Sequence, residues 1–167
     1  VLSTMTALHA GTSYSFEADV PAEGHLELVR PGANMAQVAV LAHSRPGSGW
    51  LVGNEPNVPG QDDISPAAYA DFLHQAAVTV KSADPTAQLI GPNVLNWDRT
   101  CGGCSGFRAS GHAWSTAFVA SYQGRYGPLP LDDWGLHSYT LDWNHLPMII
   151  AAADQADIAA THAWLGS

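Results

Sequence analysis

The sequence predicts an α/β protein on the parallel-stranded plan of a (β/α)8 TIM barrel, and three observations lead there. Short apolar strands alternate with helical stretches along the chain, a pattern that gives a parallel sheet covered by helices. The phosphate-binding signals of the open, doubly wound alternative are missing: no G-x-G-x-x-G follows the first strand, and no G-x-x-x-x-G-K-[ST] occurs anywhere. Polar residues stand instead at the carboxyl ends of successive strands: Asn54 and Glu55, then Asn93 and Asn96, then His137 and Tyr139. A barrel gathers those ends on one face, and that face carries the active site.

Each element follows from local pattern. Residues 11–18 (GTSYSFEA) and 25–32 (HLELVRPG) alternate as strands, the second closed by Pro31-Gly32. Residues 34–45 set Met35, Val38, Leu41 and Ala42 on one helical stripe, which PGSG ends. Residues 49–55 (GWLVGNE) predict the next strand. Ser65 then supplies an N-cap, and Pro66 takes the first helical position, where its missing N–H costs nothing. Tyr69, Phe72, Leu73, Ala76 and Val80 form the apolar face of that helix. A strand is predicted over 88–94, a helix over 112–127 with Trp114, Phe118 and Tyr122 four apart, a strand over 132–141 and a helix over 147–165. Trp114 and Trp164, at helical spacing, are expected in the core, and Asp62 and Asp63 in a solvated loop.

Composition narrows the function. A chain of 167 residues with 46% hydrophobic content is one domain's worth and can bury a core. A net charge of −9 with only six Lys and Arg offers no basic stripe for a phosphate backbone, so no nucleic-acid partner is expected; neutral or cationic ligands fit better. No run approaches the roughly 18 apolar residues of a membrane span, and no signal-peptide pattern opens the chain. No membrane partner and no obligate protein partner are therefore expected. The start at Val1 and the polar end LGS suggest that flanking sequence lies outside this chain.

Cys101 and Cys104, in CGGC, allow a local disulfide, half a zinc site or a redox pair. A four-cysteine zinc site needs two more cysteines, and with His112 as a third ligand a fourth is still not evident. A redox pair should open a helix after a strand, whereas this one lies in a Gly-rich loop. A disulfide tying down the loop is the favoured expectation, with no metal and no cofactor, and it suits an exported enzyme.

WLVGNEPN (50–57), the N-capped helix SPAAYADFLHQAAVTVKSADPTAQLIGP and DDWGLHSY together resemble the clan of retaining (β/α)8 glycoside hydrolases whose acid/base Glu follows Asn at the end of strand four. The resemblance covers residues 45–145 and is nearest to bacterial glycosyl hydrolase catalytic domains related to β-glucan-cleaving families. It implies that GNE ends barrel strand four, with strands two, three, five and six at 11–17, 25–30, 88–93 and 134–139. Residues 1–167 would then be a single incomplete catalytic domain, a partial barrel of about strands two to six with their helices.

By the same resemblance, Glu55 is the general acid/base in retaining hydrolysis of an O-glycosidic bond in a poly- or oligosaccharide, and Asn54 binds the hydroxyl next to the reacting carbon. His137 lines the sugar subsite, and Tyr139 hydrogen-bonds the nucleophile. Asn93, at the end of the next strand, joins the expected carbohydrate-binding set. Trp97 and Trp143, shortly after strand ends, are candidates for stacking on sugar rings. An extracellular or cell-surface location is expected for such an enzyme.

Retention requires two carboxyl groups about 5–5.5 Å apart, one to protonate the leaving oxygen and one to attack the anomeric carbon. In the clan the attacking group is a Glu ending strand seven. Asp142, Asp154 and Asp157, the acidic residues after strand six, do not fit it, so the chain by itself is expected to be inactive. The alternative readings are a non-catalytic sugar-binding barrel remnant and, less favoured, a metal-dependent barrel hydrolase using His137, His145 and nearby aspartates, for which the usual H-x-H after the first strand is missing.

Overall fold

The computed structural model describes residues 13–14, 25–98, 109–138 and 151–167. Their elements run in the order β1 (Ser13–Tyr14), β2 (His25–Val29), α1 (Met35–Ser44), β3 (Gly49–Val52), α2 (Pro66–Ala83), β4 (Gln88–Leu95), α3 (Gly111–Tyr126), β5 (Asp133–His137) and α4 (Ala151–Leu165). All strand pairs are parallel, and the order across the sheet is the order along the chain. A doubly wound sheet reverses its strand order at a switch point; this one does not, so it is the single-direction winding of a barrel, covering part of one.

The helices start where short polar side chains can occupy the free backbone N–H groups. Asn34 accepts from the N–H groups of Ala36 and Gln37, Ser65 from that of Ala68, and Ser110 from that of Ala113. Pro66 opens α2 as expected.

One face of the sheet is sealed by the helices. Val29, Trp50, Val52, Leu89 and Val94 join Val38, Leu41, Tyr69, Leu73, Trp114 and Phe118 in one core, against which Trp164 packs. The Tyr69 ring meets Phe72, Trp114 and Phe118 edge-on at 5.7, 5.1 and 5.0 Å, the geometry that aromatic quadrupoles favour. The opposite face carries Leu26, Leu28, Leu51 and Ile90, each only half-buried. A Cβ on Gly49 would strike Leu26 at 2.5 Å, so this inward face is also tightly set.

The expected strand over 49–55 stops at Val52, because Gly53 (φ 81°) and Glu55 (φ 47°) turn into left-handed backbone. In β4 the register slips between Pro92 and Val94, and Asn93 (φ 59°) bulges out of the ladder. Its side chain lies across β5: a Cβ on Gly135 would sit 1.8 Å from Asn93 Oδ1.

Gly135→Ala should therefore destabilise the protein at the upper end of, or beyond, the roughly 1–3 kcal/mol typical of overpacking. In an Asn93→Ala background the same change should cost much less. Urea unfolding of the four proteins of this cycle checks it; additive losses would show that the two sites do not meet.

Candidate active site

Every polar residue of interest sits where a parallel strand ends. Asn54 and Glu55 follow β3, Asn96 follows β4, and His137 closes β5. Three non-glycine residues here, Glu55, Asn93 and Asn96, have left-handed backbone at φ 47°, 59° and 51°. Asparagine tolerates that region readily, whereas a glutamate held there points to a geometric demand on its side chain.

The demand is visible in what Glu55 touches. Its N–H donates to the Asn93 carbonyl at 3.0 Å, and its own carbonyl accepts from Val58 N–H at 3.0 Å. The side chain thereby reaches across β4: Glu55 Oε1 lies 3.0 Å from His137 Nδ1. Both side chains are largely buried, at 14% and 17% exposure. Two residues 82 apart in sequence, on strands that are not adjacent, thus share one hydrogen bond at the mouth of the sheet.

Asn54 is gripped by the loop that follows it. Its N–H donates to Asp62 Oδ2 at 2.5 Å, its carbonyl accepts from Asp62 N–H at 3.2 Å, and its Nδ2 donates to Gln61 Oε1 at 2.9 Å. Asp62 also receives Arg30 Nε, from the end of β2, at 2.6 Å. Its side chain is 2% exposed, which corrects the expectation of a solvated loop for Asp62; Asp63, beside it, is exposed. The reason is topological: the cation that neutralises Asp62 lies 32 residues earlier and becomes a neighbour only when β2 and β3 pair. Beneath them Tyr69 donates its hydroxyl proton to the Val52 carbonyl at 2.6 Å. Burial, reinforced by the Asp62 carboxylate, pushes its phenol well above the ordinary tyrosine range, so it stays a neutral donor.

Two further asparagines lock the strand ends together. Asn93, 2% exposed, donates its amide to the carbonyls of Gly53 at 2.9 Å and Val52 at 3.4 Å. Asn57, fully buried, donates to the Leu95 carbonyl at 3.0 Å and accepts from Leu95 N–H at 2.9 Å, as a strand residue would. Asn57 and Gln61 carry no recognisable motif in the sequence, and Asp62 reads there only as a solvated loop residue; the density of Asn and Asp between residues 54 and 63 is the signal that marks this loop.

Trp97 needs a correction. Expected as an open stacking surface, it is 1% exposed, with His112 stacked on it at 5.1 Å and Trp164 edge-on at 5.1 Å. Its rings are part of the packing between α3 and α4, and its main-chain N–H donates to the buried Asp157. Asp154 accepts from Ser138 Oγ at 3.0 Å, so both aspartates of α4 tie that helix to the strand ends. Tyr139, Trp143, Cys101 and Cys104 lie outside the described residues. Among the described residues, no three His, Cys, Asp or Glu side chains are grouped so as to hold a metal ion, and no helix is long and apolar enough to cross a membrane.

No protein-family profile matches the sequence, and no curated protein matches it. Solved structures do. The chain is similar to a GH128 (subgroup II) endo-β-1,3-glucanase from Sorangium cellulosum, with 24% identity, a TM-score of 0.62 and coverage of 84% of this chain and 56% of that one. It is similar to a GH128 (subgroup I) endo-β-1,3-glucanase from Amycolatopsis mediterranei in complex with laminaritriose, with 19% identity, a TM-score of 0.63 and coverage of 95% and 60%. A third match is a GH128 (subgroup III) curdlan-specific exo-β-1,3-glucanase from Blastomyces gilchristii in complex with glucose, with 20% identity, a TM-score of 0.59 and coverage of 86% and 60%. These likenesses establish a shared partial-barrel fold, and the chain spans between 56% and 60% of the length of the three proteins.

Asp62→Ala should leave the buried Asn54 N–H without an acceptor and cost about 1–3 kcal/mol. Urea unfolding at neutral pH measures it, and an unchanged unfolding free energy would contradict the clamp.

Proposed function

We propose that this chain is the acid/base portion of a retaining glycoside hydrolase acting on β-1,3-linked glucan, with Glu55 as general acid/base. The observation that carries the reading is the Glu55–His137 pair: a largely buried carboxyl group, held in left-handed backbone at the carboxyl ends of parallel barrel strands. The GH128 neighbours, one holding laminaritriose and one glucose, support the substrate class.

The chemistry divides between two carboxyl groups. In the first step the proton on Glu55 passes to the glycosidic oxygen as the bond to the anomeric carbon breaks. A carboxylate from barrel strand seven, outside residues 1–167, forms the new bond to that carbon. In the second step the Glu55 carboxylate takes a proton from water, whose oxygen attacks the same carbon and releases the nucleophile. With its proton on Nδ1, His137 donates to Glu55 Oε1, which leaves Oε2 to carry the transferable proton. Asn54 meets the hydroxyl next to the reacting carbon, Tyr139 hydrogen-bonds the nucleophile, and Trp143 joins the sugar-binding set. An exported protein, with Cys101 and Cys104 joined in a disulfide, fits a polymeric substrate outside the cell.

On this reading residues 1–167 alone show negligible turnover, because no covalent intermediate forms without the second carboxylate. A chain extended through strands seven and eight should be active. In it, Glu55→Gln should cut hydrolysis of laminari-oligosaccharides by about 10²–10⁴-fold. On a 2,4-dinitrophenyl β-glucoside, whose leaving group needs little protonation, the first step should be nearly spared. A burst should then precede slow turnover, and azide should accelerate that turnover and give the β-glucosyl azide. Equal losses on both substrates with no response to azide would remove Glu55 from the acid/base role.

A further inference from the structure

We propose that Gln61 is a positioning residue that fixes the side-chain amide of Asn54 for the substrate hydroxyl next to the reacting carbon, and so helps to set specificity at that hydroxyl. The inference rests on the glycosidase reading above and extends it to a residue in the loop between β3 and α2.

Asn54 offers five hydrogen-bonding positions, its main-chain N–H and carbonyl, Oδ1 and two Nδ2 protons, and two consecutive loop residues take three of them. Asp62 holds its main-chain N–H and carbonyl, at 2.5 and 3.2 Å, which fixes the backbone. Gln61 Oε1 takes one proton of Nδ2 at 2.9 Å, which fixes the plane of the amide. What remains is Oδ1 and the second Nδ2 proton, an acceptor and a donor side by side. That is the complement of a hydroxyl group, which can donate to Oδ1 or accept from the second Nδ2 proton. Without Gln61 the amide could turn about its terminal torsion, a broad and soft one, and exchange donor for acceptor. Asn54 is 4% exposed and Asp62 is clamped by Arg30, so the main chain at Asn54 would stay in place; only the amide orientation depends on Gln61.

A hydroxyl held by an oriented amide in the transition state is discriminated strongly from its deoxy analogue, because the analogue leaves the site's polar group unpaired. Gln61 should therefore affect substrates bearing that hydroxyl and spare those lacking it. Purely structural damage would lower both alike.

The test compares an aryl β-glucoside with its 2-deoxy analogue in the extended protein. Gln61→Leu should reduce kcat/KM on the glucoside about tenfold and change the 2-deoxy substrate by less than about twofold. Gln61→Glu, which keeps an acceptor in the same place, should retain the discrimination. Equal losses on both substrates in Gln61→Leu would overturn the inference while leaving the glycosidase reading intact. No turnover of either substrate by the extended wild type would overturn that reading, and this inference with it. A readout without turnover comes from the Asn54 side-chain amide protons of residues 1–167 observed by ¹⁵N-resolved NMR. Gln61→Leu should shift them and speed their exchange; unchanged signals would overturn the contact itself.

Discussion

The candidate site depends on Asn93. Its amide bonds the carbonyls of Val52 and Gly53 where β3 ends, its main-chain carbonyl receives the Glu55 N–H, and its Oδ1 fills the space that Gly135 leaves open on β5. One bulged residue thus ties three strand ends, and the direction in which Glu55 leaves β3 follows from it. Were Asn93 in regular strand geometry, its side chain would follow the pleat of β4 and could not lie across Gly135. The left-handed conformation of Glu55 costs on the order of 1–3 kcal/mol elsewhere, whereas Asn93 adopts its own readily, and here both are held by these bonds and by the buried Asn57 clasp.

Parallel barrel geometry explains why such a site can form from distant residues. Strands in consecutive order place every carboxyl end on the same rim, so residues 55 and 137 meet with one strand between them. The helix-covered face supplies rigidity through Tyr69, which links the aromatic core to the Val52 carbonyl directly beneath the turn at Gly53. Gly53 must be glycine for two reasons at once: its φ is 81°, and a Cβ would stand 2.8 Å from the Tyr69 ring. Rigid support of this kind is what a proton-transferring carboxyl group requires, since its reach is set to fractions of an ångström.

Much of the architecture was legible because local rules govern it. Ser65 and Pro66 announced α2, the stripe of Tyr69, Phe72, Leu73, Ala76 and Val80 marked its buried face, and apolar runs before Asn54 and Asn93 located β3 and β4. What stayed hidden depends on pairing across the chain. Asp62 looked solvated because Arg30 is remote in sequence, and Trp97 looked like a sugar platform because nothing local shows that His112 and Trp164 cover it. Asn93 could be placed at a strand end, but its bulge, and the main-chain carbonyls of β3 that it holds, are properties of the assembled sheet.

Under the proposed function, Glu55, aimed by Asn93 and paired with His137, faces the scissile bond of a β-glucan. The most direct measurement is a crystal structure of the extended Glu55→Gln protein with a laminari-oligosaccharide spanning the strand ends. The residue 55 amide should lie within about 3 Å of a glycosidic oxygen, the distance proton transfer needs. An oligosaccharide bound at the same rim with no glycosidic oxygen near residue 55, or bound elsewhere on the protein, would contradict it.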